Sequence, residues 1–322
     1  MRFFAAFTSP AFSIITSAAT LVIKTAGPKW TSVRLRSRNS GRGSEIHLKF
    51  VTVLTISFWM GVVTHAQVEA TTDKACPEPV SIKFVLDRTI NRSKIGYTQG
   101  LIFDGDRLLE STGRFPASPS VINSIELATG RVRRLTDTPD NVFGEGLARI
   151  DSEIFQLSNT EGKIFVYDVS TLRLKKTMIN SFSKRGWGLT KFDSKTLLAS
   201  DGSENLYFID AETLALRRTL PVTMGAYRLP GLNHLQMVGD SIFANLLESQ
   251  YFSILRIDGG SGCVTGLLDV APLLKNLSKS DLIDILTDPE RVLNGIAYDP
   301  KTRQFYVTGK AWPRIFVIRL MN

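Results

Sequence analysis

Histidine and cysteine are scarce in this 322-residue chain, and the scarcity narrows the chemistry open to it. Of three histidines, His47 and His65 fall in an N-terminal stretch that reads as a leader, which leaves His234 alone in the remainder. One imidazole cannot build a histidine-rich zinc site. The two cysteines, Cys76 and Cys263, permit one disulfide or two free thiols. An excess of basic charge is also lacking once the leader is set aside. Residues 1–66 hold eight Lys and Arg against one acid, while the other 256 residues hold 31 basic and 29 acidic side chains. The sequence pI of about 9.6 is therefore no reason to expect nucleic acid as a partner.

A long hydrophobic run is missing too. The apolar stretch 50–63 has 14 residues, too few for a membrane-spanning helix. Lys49 precedes it and Thr64-His65-Ala66 closes it before Gln67, the anatomy of a secretory signal peptide. An uncleaved N-terminal anchor is the alternative. Residues 1–46, rich in Arg and Ser, fit an organelle transit peptide or an upstream start codon. The second is favoured because the signal-like run is complete without them. The expected plan is a leader over 1–66, a linker over 67–79 and one folded domain over 80–322. The product is expected to be secreted or periplasmic, monomeric, and free of a stable membrane span after processing.

From residue 80 onward no helical period and no low-complexity linker appears. Short β-branched and aromatic runs alternate with Gly, Asp, Asn and Thr turns, the pattern of an all-β domain. Five times a cassette recurs in which a polar or aromatic residue precedes, usually, a glycine and then an aliphatic strand opener. The copies are Gln99-Gly100-Leu101, Glu145-Gly146-Leu147, Trp187-Gly188-Leu189, Asn233-His234-Leu235 and Asn294-Gly295-Ile296. Their spacings of 46, 42, 46 and 61 residues match the repeat length of a β-propeller blade. Second strands follow at 108–111, 154–158, 196–200, 242–246 and 304–308, and third strands at 121–127, 163–169, 205–210, 252–257 and 314–320. Four copies add a fourth strand, and the fifth copy lacks one. The alternating segment 80–86 is predicted to supply it, which closes the ring and protects its sheet edges. Residues 271–291, with Leu273, Leu274, Leu277, Leu282, Ile283, Ile285 and Leu286, predict a small helical insertion between blades four and five.

In this five-bladed β-propeller the cassette residues Gln99, Glu145, Trp187, Asn233 and Asn294 converge at one mouth, with Lys310 and Trp312 on a neighbouring loop. Cys76 and Cys263 fall together at the other face, on adjacent blades, where a disulfide can form. One carboxylate among amides, indoles and an ammonium suits proton transfer on a polar substrate. It suits a divalent metal poorly, since such an ion wants several anionic oxygens, so no cofactor is expected. Burial would raise the Glu145 pKa and Lys310 would lower it. Each residue also has a plainer reading, as a water-lined channel wall, a packing tryptophan or a solvated lysine.

The strings Tyr97-Thr98-Gln99-Gly100-Leu101, Phe143-Gly144-Glu145-Gly146-Leu147, Gly186-Trp187-Gly188-Leu189, Val292-Leu293-Asn294-Gly295-Ile296 and Thr308-Gly309-Lys310-Ala311-Trp312 resemble the plant-type glutaminyl-peptide cyclotransferases, in order across 80–320. The resemblance implies a five-bladed propeller that converts N-terminal glutamine of peptides or proteins to pyroglutamate, releasing ammonia without a catalytic metal. It implies Glu145 as proton shuttle and Lys310 as a polarising partner. It further implies Gln99 and Asn233 as substrate holders, and Tyr97, Phe143 and Trp187 as pocket walls. Asn294 and Trp312 are added to the candidate binding residues. Three departures stand out. His234 and Gln236 replace two carboxylates of the family pattern, and Asn159 and Leu247 stand where it carries tryptophan. A catalytically weak propeller that binds peptide N-termini or a partner protein is the alternative.

Overall fold

The computed structural model describes residues 75–114, 119–139, 142–247 and 252–321, together with three short N-terminal strands. Those strands, Val22–Thr25, Thr31–Arg34 and Lys49–Phe50, pair antiparallel within a separate unit, Met1–Ala70. Residues 51–63 of the signal-like run and its cleavage end lie outside the described residues.

The second unit is a five-bladed β-propeller; in three blades four antiparallel strands follow one another in sequence, and in the other two an early strand joins the outer edge. The innermost strands are Thr98–Asp104, Gly144–Ile150, Leu189–Lys191, Leu232–Val238 and Leu293–Asp299. Buried side chains fill the three inner strands of each blade, whereas the outer strands Val132–Asp137, Leu174–Ile179 and Leu216–Pro221 are largely exposed. The apolar core is divided into five clusters, one for each interface between neighbouring blades. A blade is therefore apolar on both faces and finds its partner in the next one, so the ring is stable only when every interface is covered.

The last interface is sealed by the start of the domain. Phe84–Asn91 pairs antiparallel with Arg314–Leu320 and becomes the outer strand of blade five. The sequence placed this strand at 80–86. Instead, Val80–Ser81 lies parallel to the outer strand of blade four, Val264–Asp269, as a fifth strand there. The Ile82 N–H donates to the Leu267 carbonyl at 2.8 Å before the chain crosses to blade five. One segment thus staples two blades.

Cys76, just before this staple, forms a disulfide with Cys263, with Cα atoms 5.5 Å apart and a sequence separation of 187. A cross-link of this kind constrains the unfolded chain, and losing one from a secreted domain costs about 2–5 kcal/mol. The insertion between blades four and five consists of a 3-10 turn, Ala271–Asn276, and a helix, Lys279–Thr287. Ser278 caps the helix by accepting from the Asp281 N–H. Leu273, Leu274 and Ile285 anchor the insertion in the core between those blades. Among the described residues no helix is long and apolar enough to cross a membrane.

Candidate active site

The cassettes place their first residues at the mouth by interrupting the strand ladder. In four blades the pairing of first and second strands slips there, between Thr98 and Gly100, Gly144 and Leu147, Leu232 and Leu235, and Leu293 and Ile296. A β-bulge releases the skipped residues from strict in-out alternation and re-aims their side chains. In blade three Trp187 simply precedes the strand, its N–H held by the Ser200 carbonyl at 2.9 Å.

The glycine after the ring residue lets neighbouring blades touch backbone to backbone. A Cβ on Gly100, Gly146 or Gly188 would sit 2.6, 2.4 or 1.9 Å from Leu147 N, Leu189 N or the Asn233 carbonyl oxygen. The fourth copy breaks the rule with His234. Its buried ring reaches the Ile296 carbonyl through Nε2 at 2.8 Å and lies 3.2 Å from the Gln99 carbonyl through Nδ1. Burial pushes its pKa down against the pull of those carbonyls. Each ring nitrogen faces a carbonyl oxygen, and Nε2 makes the shorter of the two contacts. This residue ties blade four to blades one and five, a role the sequence reading missed.

Asn294 also works beneath the site. Its amide donates to the Thr98 carbonyl at 3.0 Å and to Gln99 Oε1 at 3.1 Å, so it positions Gln99 and does not line the cavity. Under Thr98 lies a fully buried ion pair. Glu110 accepts from Arg92, from the Thr98 hydroxyl at 2.6 Å and from Asn123 at 3.1 Å. Those bonds hold the backbone that carries Tyr97 and Gln99.

Glycines at the ends of second strands serve as flat seats for aromatic rings. A Cβ on Gly113 would lie 2.2 Å from the Phe143 ring, one on Gly202 2.4 Å from Trp187, and one on Gly309 2.3 Å from Trp312. The first two rings are walls of the mouth; the third is not. Trp312 is fully buried in the core between blades four and five, its indole N–H donating to the Arg291 carbonyl at 2.9 Å. The sequence placed Trp312 in the substrate pocket beside Lys310. Ala311 has φ of 54°, and across this turn Lys310 lines the cavity while Trp312 packs in the core.

At the mouth lies a cavity of about 290 Å³. It brings together Tyr97, Gln99, Phe143, Glu145, Trp187, Asn233 and Lys310 from all five blades and the loop before blade one. Asn159 and Leu247, the two positions without the family tryptophan, line it as well. Arg114 and Glu290 were not foreseen. Glu290 comes from the insertion outside the repeat, whereas Arg114 follows Thr112-Gly113 between the second and third strands of blade one, as Lys310 follows Thr308-Gly309 in blade five, a periodic signal the sequence reading passed over.

Glu145 is 2% exposed, and its Oε2 has no hydrogen-bond partner among the described residues. The same holds for Asn233 Oδ1. A buried polar atom without a partner costs about 1–3 kcal/mol; Arg92 Nε, Asn245 Nδ2 and Asn294 Oδ1, outside the cavity, share that state. Burial lifts the Glu145 carboxyl well above its ordinary value; Lys310 opposes the shift and Glu161 adds to it. Burial likewise lowers the Lys310 ammonium, with Glu145 and Glu290 opposing. Burial thus disfavours the charged form of each group, and each opposes that effect on the other. Lys310 Nζ stands 5.2 Å above the Tyr97 ring, and the Tyr97 hydroxyl donates to Glu290 Oε2. Tyr97 and Phe143 meet edge to face with centroids 6.3 Å apart.

Comparison with known proteins gives one consistent answer. The sequence model described as glutamine cyclotransferase matches residues 57–320. A protein of Arabidopsis thaliana named glutaminyl-peptide cyclotransferase is 34% identical over 225 residues, which covers 70% of this chain and 67% of the relative. The crystal structure of Myxococcus xanthus glutaminyl cyclase superimposes with a TM-score of 0.65 at 31% identity, over 76% of this chain and 98% of that structure.

Proposed function

This chain belongs to the glutamine cyclotransferase family, and from that premise we propose that it cyclises N-terminal glutamine of peptides to pyroglutamate, with Glu145 as the proton carrier. The observation that carries the reading is the buried Glu145 carboxyl, one oxygen of it without a partner among the described residues, in the cavity where the five blades converge and that Lys310 also lines.

The substrate's neutral α-amine attacks its own side-chain amide carbon, forming the ring C–N bond. Glu145 takes one proton from that amine. The bond to the side-chain nitrogen then breaks, and Glu145 returns the proton so that ammonia departs. One proton moves, and the acid ends as it began. Amine and amide belong to one residue, so the main task is folding the side chain into ring geometry, and good alignment supplies roughly 7–11 kcal/mol of barrier. Trp187, Phe143 and Tyr97 provide walls for that fold, and Gln99 and Asn233 provide polar anchors. Lys310 stabilises the oxygen as it turns anionic. The test is ammonia release from a Gln-initiated tetrapeptide, expected at least tenfold above the spontaneous rate. A rate equal to buffer alone would refute the activity.

The disulfide and the signal-like run also support export to an oxidising compartment, secreted or periplasmic. A chain cut after Ala66 would start at Gln67, the group this reaction consumes. Mass spectrometry of the mature protein is then expected to find pyroglutamate at its N terminus. An uncut leader would exclude this route.

A further inference from the structure

One charged group at the mouth belongs to no blade. Glu290 enters the cavity from the segment after the insertion helix and lines it beside Tyr97 and Lys310. The Tyr97 hydroxyl donates to Glu290 Oε2, and Lys310 Nζ lies over the Tyr97 ring, 5.2 Å from its centroid. The ring thus has its hydroxyl held by a carboxylate and its face turned to an ammonium. A cation within about 6 Å of a ring centroid is attracted by the ring quadrupole, so wherever the ring is fixed, a favourable place for the ammonium is fixed too.

The backbone around these three residues is held by other bonds. Asp288 accepts from the Glu290 N–H at 3.0 Å. The Lys310 N–H donates to the Val292 carbonyl at 2.9 Å, and the Ala311 N–H to the Gly96 carbonyl at 3.0 Å. Arg291 donates to the Ala311 carbonyl at 3.0 Å, and Tyr97 forms a backbone bridge with Lys310. None of these needs the Glu290 side chain, whose contribution is a grip on one hydroxyl and a negative charge. Lys310 shares the mouth cavity with Glu145 from blade two, Arg114 from blade one, Tyr97 and Glu290. It shares a second cavity with Asp288 and Arg291, which pair with each other at 3.3 Å. Burial lowers the Lys310 ammonium, and Glu145 and Glu290 are the groups that oppose it. Burial also raises the Tyr97 hydroxyl, and Glu290 adds to that shift, so the phenol keeps the proton it donates.

We propose that Glu290 is a positioning residue for the reaction, which grips the Tyr97 hydroxyl and lends its negative charge so that the Tyr97 ring and the Lys310 ammonium stay where the substrate meets them. Resting on the cyclotransferase reading of the cavity, this assignment makes the insertion between blades four and five part of the active site and not only a filling for the core.

In the full-length protein Glu290→Ala is expected to lower kcat for a Gln-initiated tetrapeptide about tenfold, within the ~10²-fold that a 1 Å misplacement costs. It should also move the alkaline limb of the pH–kcat profile to lower pH, because Lys310 loses its proton more easily without the opposing charge. Glu290→Gln keeps an acceptor for the Tyr97 hydroxyl, so it should move the limb equally with a smaller fall in kcat. Tyr97→Phe removes the hydroxyl and leaves the charge, so kcat should fall with the limb in place. An alkaline limb unmoved in both Glu290 variants, or an unchanged kcat in Glu290→Ala, overturns the proposal and leaves the cyclotransferase reading standing. Competitive labelling of Lys310 with acetic anhydride across pH, read by peptide mass spectrometry, follows the same charge without turnover. Its midpoint should fall in Glu290→Gln. A lowered midpoint in a protein whose wild type releases no ammonia would keep the hold of Glu290 on Lys310 and overturn the chemistry. An unmoved midpoint would overturn the hold itself.

Discussion

Glu145→Gln is expected to lower kcat for a Gln-initiated peptide by ~10²–10⁴-fold, the usual contribution of a positioned acid-base group, with KM changed little. Glutamine has nearly the same shape and cannot carry the proton from the attacking amine to the departing one. The fold should not suffer, because Glu145 Oε2 makes no hydrogen bond among the described residues. Stability should move the other way with pH. Burial raises this carboxyl above its ordinary value of 4.5 in the folded chain. An acid raised by folding favours the native state below its unfolded pKa, and that advantage is lost as pH rises through the folded value. At neutral pH the wild type therefore carries a penalty that the amide lacks. Urea midpoints should be equal for the two proteins near pH 4, with the variant level or ahead at pH 7. A variant that keeps wild-type turnover would remove Glu145 from the mechanism. One that loses activity and stability together would assign it a structural role.

Lys310→Met is the second large effect. Methionine keeps the buried stem and removes the charge, so the loss reports electrostatics. Withdrawing one preorganised donor from a developing oxyanion costs about 10²–10³ in kcat. A second signature distinguishes this from lost packing. Lys310 opposes the burial-driven rise of the Glu145 pKa, so its removal should raise that pKa further and move the acid limb of the pH–rate profile to higher pH. A fall in kcat with an unmoved limb would separate the two residues. A rise in KM alone would make Lys310 a binding residue.

Much of this arrangement was legible in the sequence because a propeller repeats its strand order, and the cassettes mark where each blade begins. Gln99, Glu145, Trp187, Asn233 and Lys310, which the repeat brings to the mouth, and Tyr97 and Phe143, which the family resemblance added, do share one cavity. What was not legible follows from local geometry. Trp312 stands two residues from Lys310, but a left-handed turn at Ala311 and a glycine seat at Gly309 carry its ring into the core. Asn294 occupies a ring position by register, yet its amide is spent on Thr98 and Gln99. His234 looked like a lost carboxylate and is a bolt across the channel. Glu290 comes from the insertion, which has no counterpart in the other blades to point to it. The closing strand was found with its start four residues early, since Val80–Ser81 and Phe84–Asn91 both alternate as strands but pair with different blades.

Closure of the ring by its own beginning has a temporal consequence. Tyr97 bridges backbone to backbone with Lys310, so early and late segments of the propeller meet at one wall of the mouth cavity. During synthesis Glu145, Trp187 and Asn233 emerge long before Lys310, and the outer strand waiting at Phe84–Asn91 has no partner until Arg314–Leu320 is made. A chain that stops before Lys310 keeps Glu145 and lacks the lysine that shares its cavity, so under the proposed mechanism such a fragment is expected to be inactive.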